Sequence, residues 1–294
     1  MRLNKIIFGV SLLAAAGLIF AGCSNAKETV KRGEVAGLDQ LGTITVISRE
    51  EGSGTRNVFA ELLGFADVNA ELSDQTREDA VIVESTESIL VAVSTDRSAI
   101  GYVSGGAITE YEGVRKLQIE GTAAGEGDED YPLSRTFYLV YSGRLSDLEQ
   151  DFLTYVRGAG QGIVGENYKT VAKQTSFLST KARGSIKIGG SSSVAPLMER
   201  LAEEYMTFNP YAEIEVITTD SGDGLIKTMS GEYDLGMSSR DLKDYEKELL
   251  EYHAIAVDEI VALVNKDNPL EDITTEELKE IYTGEISDWK ELNQ

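Results

Sequence analysis

Three short segments rich in serine and glycine contain the residues best suited to ligand chemistry. Each follows a run of β-branched and apolar residues and precedes a run with helical spacing. Glycine lets the backbone approach a ligand closely, and the first turn of a helix leaves N–H groups without intrahelical partners. With the helix dipole behind them, those groups form an anion site. The segments are IKIGGSSSVAPLMERL (186–201), EVITTDSGDGLIKTM (215–229) and TVISREEGSGTRNVF (45–59).

One arginine adds a positive charge to this pattern. Arg49 stands four residues before Ser53, Gly54 and Thr55, and a guanidinium binds an oxyanion through two parallel hydrogen bonds. A single junction of this kind is ordinary N-cap chemistry. Three of them in one chain predict a site that holds a small tetrahedral anion with many neutral donors and one cation.

Residues for covalent chemistry are scarce. His253 is the only histidine and Cys23 the only cysteine, and no nucleophile elbow, HExxH motif or P-loop is present. His253 falls at the edge of a predicted strand, where a surface or packing role is expected. A serine hydrolase needs a base beside its nucleophile, so we expect no enzyme, no metal and no cofactor.

Strand-like and helix-like runs alternate along the chain, which predicts an α/β fold. The predicted strands are 43–48, 80–83, 99–103, 137–141, 185–188, 213–218 and 255–265. The predicted helices are 55–63, 87–95, 145–157, 194–207, 224–230 and a last one that starts with a capping box at Thr274.

The first residues predict export. Basic residues precede an apolar run from Ile6 to Phe20, and Ala21-Gly22-Cys23 follows it. The run is shorter than the ~20 residues of a membrane-spanning helix, so residues 1–23 are interpreted as a signal peptide. Cys23 would be lipidated, or the cysteine is a chance neighbour of an ordinary secretory signal. The polar residues 24–41 are typical of a tether.

The net charge of −23 argues against nucleic acid as a partner, because nucleic acids bind basic faces. It does not argue against an anionic ligand. Surface carboxylates are screened within ~8 Å at physiological ionic strength, whereas a buried site acts through hydrogen bonds at contact distance.

Several segments resemble the phosphate-binding proteins of bacterial phosphate ABC importers, the Pst-type solute-binding proteins. The resemblance extends from about Gly42 to Gln294 and depends on GGSSSVAPLMERLAEEY (189–205), DLGMSSRDLK (234–243), IYTGEISDWKEL (281–292), SREEGSGTRNVF (48–59) and AIGYVS (99–104). It implies a two-lobed periplasmic-binding-protein fold of type II-like form. It also implies inorganic phosphate as ligand, the permease and ATPase subunits of an importer as partners, and an extracytoplasmic location with a lipid anchor on Cys23.

The order of these segments differs from the family's order, in which the GSSS loop opens the chain. The sequence therefore resembles a circular permutant. We expect one lobe from residues 42–113 and 258–294, a continuous lobe from 114–257, and hinges near Gly113 and Asp258. The alternative is a fragment of a tandem duplication that pairs its halves between molecules.

The resemblance also implies the ligand-binding residues. They are Arg49, Ser53, Gly54, Thr55, Ser192, Ser193, Ser221 and Ser239.

Other residues keep two interpretations. Ser239 stands where some relatives have an aspartate that accepts the phosphate proton, which weakens the case for phosphate over sulfate. Asp220 and Asp223 either replace that carboxylate or lie exposed. Glu51 either holds Arg49 in place or is a solvated loop carboxylate. Arg240 either touches the ligand or forms a structural ion pair.

Three other functions remain open. The chain could bind another oxyanion such as sulfate or molybdate, or sense phosphate without transport. A phosphohydrolase using the same loops has no base or metal cluster in its support.

Overall fold

The computed structural model describes residues 33–66, 74–108, 111–125 and 131–293 of the 294-residue chain. The predicted signal peptide, Cys23 and the first half of the predicted tether, residues 24–32, lie outside the described residues. The strands are β1 (Thr45–Arg49), β2 (Val81–Val83), β3 (Ala99–Ser104), β4 (Val114–Lys116), β5 (Gln118–Ile119), β6 (Ser134–Tyr141), β7 (Gly184–Ser191), β8 (Ala212–Thr219), β9 (Leu235–Ser238), β10 (Glu251–Asn265) and β11 (Asp272–Ile273).

The helices alternate with these strands, so the fold is α/β as predicted. They are α1 (Gly54–Leu62), α2 (Thr86–Thr95), α3 (Asp147–Arg157), α4 (Gln161–Asn167), α5 (Ala195–Phe208), α6 (Ser221–Met229), α7 (Asp244–Leu249) and α8 (Thr275–Thr283), with 3₁₀ turns at Leu38–Gln40 and Trp289–Asn293. Each predicted strand and helix is present, and the capping box at Thr274 is formed, with its hydroxyl accepting from the N–H of Glu277. The sequence did not predict β4, β5, α4, β9, α7 or β11, which are short.

One large sheet contains all the strands except β5 and β11, which form a separate two-stranded sheet. The strand order of the large sheet is β2-β1-β3-β10-β6-β9-β7-β8, and β4 also pairs with β10. The long strand β10 is antiparallel to β6 along its first part and antiparallel to β3 along its second part. From Ile260 to Val264 its apolar residues are buried on both faces, as a central strand requires. β10 therefore joins the two halves of the sheet, β2-β1-β3 on one side and β6-β9-β7-β8 on the other.

Apolar side chains pack into separate cores at the two ends of this shared strand. The first region, defined as residues 35–133 and 260–293, packs around Phe59, Tyr102 and Tyr282, with a further cluster under α2. The second region, residues 137–256, packs around Phe152 and Tyr205, with a small cluster under α6. The two regions meet where β6 begins and where β10 passes its midpoint.

The segment after Gly113 packs in the first region, although the sequence predicted that the second lobe begins at residue 114. Leu117, Ile119 and Leu133 lie in the core of the first region. The reason is strand pairing, because β4 pairs with β10 and β5 pairs with β11 at that end of the molecule. Along β10, the change of core falls between Ala256 and Ile260.

Residues from both ends of the described chain build the first region together. Thr43 forms an isolated β-bridge with Asp288, and the backbone N–H of Val35 donates to Oδ1 of Asn293 over 2.9 Å. Both ends of the described chain are thus anchored in one core. Within the described ranges, no helix has the length and apolarity needed to cross a membrane.

Candidate functional site

The candidate site forms where loops of the first region meet loops of the second region. Thr55, in the first turn of α1, has its Oγ1 2.8 Å from Oγ of Ser193 in the loop before α5. Arg49, the last residue of β1, donates from Nη2 to Oγ of Ser192 over 3.1 Å. Both contacts join the two regions, so neither region alone can assemble the site.

A cluster of serine hydroxyls forms the second-region side of the site. Oγ of Ser191 donates to Oγ of Ser239 over 2.9 Å, and Oγ of Ser221 lies 3.3 Å from Oγ of Ser239. Gly54 of the first region packs directly on this cluster. A Cβ at Gly54 would overlap Oγ of Ser221 and lie 2.6 Å from Oγ of Ser239. Only glycine lets α1 begin this close to the serines.

The structure brings together all the ligand-binding residues that the resemblance implied. They are Arg49, Ser53, Gly54, Thr55, Ser192, Ser193, Ser221 and Ser239, and each is buried. Arg49, the one charged residue of this set, is only 2% exposed. Their proximity is a feature of the fold, and their contact with a ligand stays a prediction.

Several of these hydroxyls accept a hydrogen bond from an N–H group, which leaves their own hydrogens available to donate. Ser192 accepts from Arg49, and Ser221 accepts from the backbone N–H of Ser239 over 3.1 Å. Thr55 accepts from Nη1 of Arg135 over 2.7 Å. Ionised oxyanions present only acceptor atoms, so a cluster of O–H and N–H donors is suited to bind one.

Neighbouring residues fix both the backbone and the side chain of Arg49. Nε and Nη2 donate to the two carboxylate oxygens of Glu50 over 2.7 and 2.6 Å. The carbonyl oxygen of Arg49 accepts from Nη1 of Arg56 over 2.8 Å, and its backbone N–H donates to the hydroxyl of Tyr102 over 3.4 Å. The guanidinium is thereby held facing Ser192.

The acid that pairs with Arg49 is Glu50, so the first of the two interpretations of Glu51 does not hold. Glu51 lies in the turn between β1 and α1 and is exposed, which is the second of its two interpretations. Glu50 follows the strand directly, so its carboxylate lies alongside the guanidinium in a fork-to-fork pair.

A second buried arginine reaches the site, and the sequence analysis did not include it. Arg135, near the start of β6, is 5% exposed. Besides Thr55, its Nη1 donates to the carbonyl oxygen of Ser239 over 3.4 Å. A second guanidinium therefore lies beside the site, for which the sequence analysis expected one cation. A signal was present in the sequence, since Asp258 interrupts the apolar run IAVDEIVALVN and a buried charge requires a partner.

Asp258 is that partner and is itself fully engaged. Its Oδ2 accepts from Nε of Arg135 over 3.0 Å, and its Oδ1 accepts from Oγ of Ser104 and from the backbone N–H of Gly106 over 2.9 and 3.2 Å. Burial raises the pKa of Asp258, and the charge of Arg135 opposes this shift. Burial likewise lowers the pKa of Arg135 against the charge of Asp258.

Close backbone packing positions the start of α6. A Cβ at Gly224 would lie 2.6 Å from Cα of Gly190, and Gly190 itself has φ 135°, which other residues rarely adopt. Asp220 is the N-cap of α6 and accepts from the backbone N–H of Asp223 over 2.9 Å. The N–H groups of the first turn of α6 therefore lie beside the serine cluster.

Two further candidates have partners outside the serine cluster. Asp223 forms an ion pair with Lys227, 3.1 Å between Oδ2 and Nζ. Arg240 donates from both Nη atoms to the carboxylate of Glu246 over 2.8 Å, which is the structural ion pair among its two interpretations.

The ring of His253 stacks near Tyr141, with 5.8 Å between centroids, and burial lowers the pKa of the imidazole. Among the residues that the structure describes, no group of three or more His, Cys, Asp or Glu is placed to hold a metal ion.

The chain matches a family model described as a PBP superfamily domain over residues 11–158 and 175–294. It is 37% identical to phosphate-binding protein PstS 2 of Streptococcus pneumoniae over 299 residues, 99% of this chain and 100% of the relative. It is 36% identical to PstS 2 of Streptococcus agalactiae over 307 residues, the whole of both chains.

A solved structure supports the same kinship. The phosphate-binding protein of a phosphate ABC transporter from Streptococcus pneumoniae superposes with a TM-score of 0.69 at 37% identity, covering 85% of this chain and 100% of that chain. PstS of Bacillus subtilis matches a shorter part, with 40% identity over 115 residues, 38% of each chain. All of these relatives are named as phosphate-binding proteins. The chain therefore belongs to the PBP superfamily, with its two-lobed fold, and within it to the family of the PstS phosphate-binding proteins.

Proposed function

We propose that this protein captures inorganic phosphate between its two regions and delivers it to an ABC importer. One observation carries the proposal: Arg49 and Thr55 of the first region make direct hydrogen-bonding contacts with Ser192 and Ser193 of the second region. A tetrahedral anion at this junction would accept hydrogen bonds from both regions at once. The names of the streptococcal relatives support phosphate as the anion.

Binding then favours the closed arrangement of the two regions. Contacts from both regions are available only when the loops converge, so an anion that makes them shifts the population toward closure. We propose that the chain crosses between the lobes near residues 134–136 and 257–259. The cores change at these points, whereas the residues after Gly113 pack within the first region.

The local charge at the site differs from the net charge of the molecule. Glu50 pairs with Arg49, and Asp258 pairs with Arg135, so the two nearest guanidinium groups are each neutralised by one acid. The attraction for the anion comes from hydrogen-bond donors and helix starts at contact distance. Release to an importer is correspondingly easier than from a site with unpaired cations.

The test is isothermal titration calorimetry of purified, phosphate-free protein with inorganic phosphate. We expect 1:1 binding. Arg49→Ala should raise Kd by more than about tenfold, since hydrogen bonds to charged groups contribute about 1.5–3 kcal/mol.

Arg157→Ala is the matched control, because it removes the same charge from an exposed position at the end of α3. Its Kd should remain near that of the unmodified protein. An Arg49→Ala protein that binds phosphate with unchanged affinity would remove the proposed site.

Ser239 gives a specific reason to consider sulfate as a second candidate. Its hydroxyl lies within the serine cluster, where a carboxylate would repel a fully ionised anion. Titration with sulfate, alone and in competition with phosphate, measures the preference. Tighter binding of sulfate would reassign the ligand.

We propose further that the mature chain is held at the outer face of the cell membrane by lipid on Cys23. The support is the small-residue sequence before this cysteine and its position after the apolar run. The mass of the mature N-terminal peptide is the measurement that tests this anchor.

A further inference from the structure

Arg135 lies on β6 at the boundary between the two regions, directly opposite Asp258 on β10. Arg135 in β6 and Asp258 in β10 are register partners in the antiparallel pairing. Nε and Nη2 of the guanidinium lie 3.0 and 2.9 Å from Oδ2 of Asp258. Because Asp258 also accepts hydrogen bonds from Ser104 and Gly106, it holds the guanidinium in a fixed position beside the sheet.

The remaining edge of the guanidinium faces the candidate site. Nη1 donates to Oγ1 of Thr55 in the first region and to the carbonyl oxygen of Ser239 in the second region. Nη2 is buried and has no acceptor with hydrogen-bond geometry among the described residues. Arg135 therefore connects the shared strand to loops of both regions at the point where they close.

The direction of the hydrogen bond to Thr55 has a chemical consequence. A guanidinium can only donate, so Oγ1 of Thr55 accepts from Arg135 and its own hydrogen remains available to donate. The hydroxyl of Thr55 lies 2.8 Å from Ser193 across the site. Arg135 thus leaves the Thr55 hydroxyl able to donate toward the place where an anion would sit.

We propose that Arg135 is a positioning residue for anion binding, which acts by orienting the Thr55 hydroxyl. This inference rests on the proposed function. The ion pair with Asp258 carries no net charge, so the contribution of Arg135 comes from the hydrogen bond to Thr55. Removing Arg135 and removing the hydroxyl of Thr55 should therefore cause the same loss of affinity.

A double-mutant cycle tests whether Arg135 and the Thr55 hydroxyl contribute to phosphate affinity through the same interaction. The variants are Arg135→Gln/Asp258→Asn, which removes both charges of the pair, Thr55→Val, and their combination, each titrated with inorganic phosphate. Each of the first two should raise Kd by about tenfold, and the combination by about tenfold rather than hundredfold, because coupled residues are not additive. Additive losses, as a merely structural role would give, would overturn the proposal.

The other buried arginine pair provides the control. Arg240→Gln/Glu246→Gln removes a pair that is equally buried and joined by two hydrogen bonds, and its Kd should change by less than about threefold. An equal loss in this control would also overturn the proposal. Should Arg135→Gln/Asp258→Asn not fold, Arg135→Lys replaces it in the cycle, since lysine keeps the charge but not the fork of donors.

The unmodified protein separates the two levels of inference. If it binds no phosphate, the proposed function fails. If it binds phosphate and the losses are additive, only the role of Arg135 fails.

Discussion

The two regions position their parts of the candidate site by different physical means. In the first region, long side chains brace the loop: Glu50 and Arg56 hold Arg49, and Tyr102 accepts from its backbone N–H. In the second region, the backbone itself is packed closely, with Gly224 against Gly190. The loops of the second region are held mainly by this close backbone packing, which is possible because the two glycines have no side chains.

The difference follows from what each region contributes. A guanidinium at the end of a flexible side chain has many rotamers, so it needs partners that select one of them. Serine hydroxyls and backbone N–H groups are short, so their positions follow the backbone. The first region is therefore sensitive to charge, and the second region is sensitive to volume.

The largest effect is expected from adding one methyl group to the second region. In Gly224→Ala, the new Cβ would lie 2.6 Å from Cα of Gly190 and 3.0 Å from the carbonyl oxygen of Gly189. These are backbone atoms, so α6 has to move. We expect a loss of about 2 kcal/mol in the free energy of unfolding and a Kd for phosphate raised by more than about tenfold.

Urea denaturation and calorimetry measure the two quantities. Gly165→Ala in α4 is the matched control, because its Cβ would meet only a methyl group of Thr170, at 3.3 Å. Unchanged phosphate affinity in Gly224→Ala would contradict the idea that close backbone packing positions the serines.

An intermediate effect is expected from charge removal in the first region. Asp74 accepts from Nε and Nη2 of Arg56 over 2.6 and 3.0 Å, and Arg56 in turn holds the carbonyl of Arg49. Asp74→Asn should lower the free energy of unfolding at pH 7 by about 1.5 kcal/mol, since hydrogen bonds between charged groups are lost.

The pH dependence of this effect has a defined sign. Burial alone would raise the pKa of Asp74, but hydrogen bonds from Arg56 and Thr76 lower it below its ordinary value of 3.8. The stabilisation is therefore present above pH 3.8 and is lost as the pH falls through the lower pKa of the folded state. The gap between the two proteins in urea denaturation should close on acidification, and a constant gap would contradict this account.

The smallest effect is expected from a single hydroxyl of the first region. Tyr102→Phe removes the contact with Oγ of Ser48, 2.9 Å, and the acceptor for the N–H of Arg49. The ring keeps its stack on Phe59, 4.0 Å between centroids. We expect about 1 kcal/mol less stability and a Kd raised by about threefold. If Tyr102→Phe lost as much stability and affinity as Gly224→Ala, the predicted difference between the two regions would be wrong.

Much of the fold followed from pattern alone because its main elements are long and strongly periodic. β10 was predicted from its apolar run, although it begins at Glu251 rather than Ile255. β9 was missed because Leu235–Ser238 is short and contains glycine, and its strand character comes from pairing with β6 and β7. Such pairing is a tertiary property that local propensity does not contain.

The candidate site was predictable where motif and position coincide. The serine and glycine loops were found because each precedes a helix. Arg135 was missed because it precedes the predicted strand 137–141, whereas the actual strand begins at Ser134, and only the distant Asp258 indicates that this arginine is buried. Glu50 and Glu51 are adjacent, so spacing alone did not decide which of them pairs with Arg49.

The circularly permuted order of segments stays a prediction. The structure shows that the first region draws on both ends of the described chain, with the N–H of Val35 bonded to Asn293. Superposition of this chain, segment by segment, on a relative with the ordinary order is the comparison that would decide it.

The continuity of β10 limits how the two cores can move. Its 15 residues run from one core to the other while hydrogen bonded to β6 and then to β3. Pulling the cores straight apart would break ladder hydrogen bonds, each contributing about 1 kcal/mol, whereas torsion of a twisted strand retains them. Motion is then a small rotation about a stiff common axis, and little binding free energy is used in rearrangement.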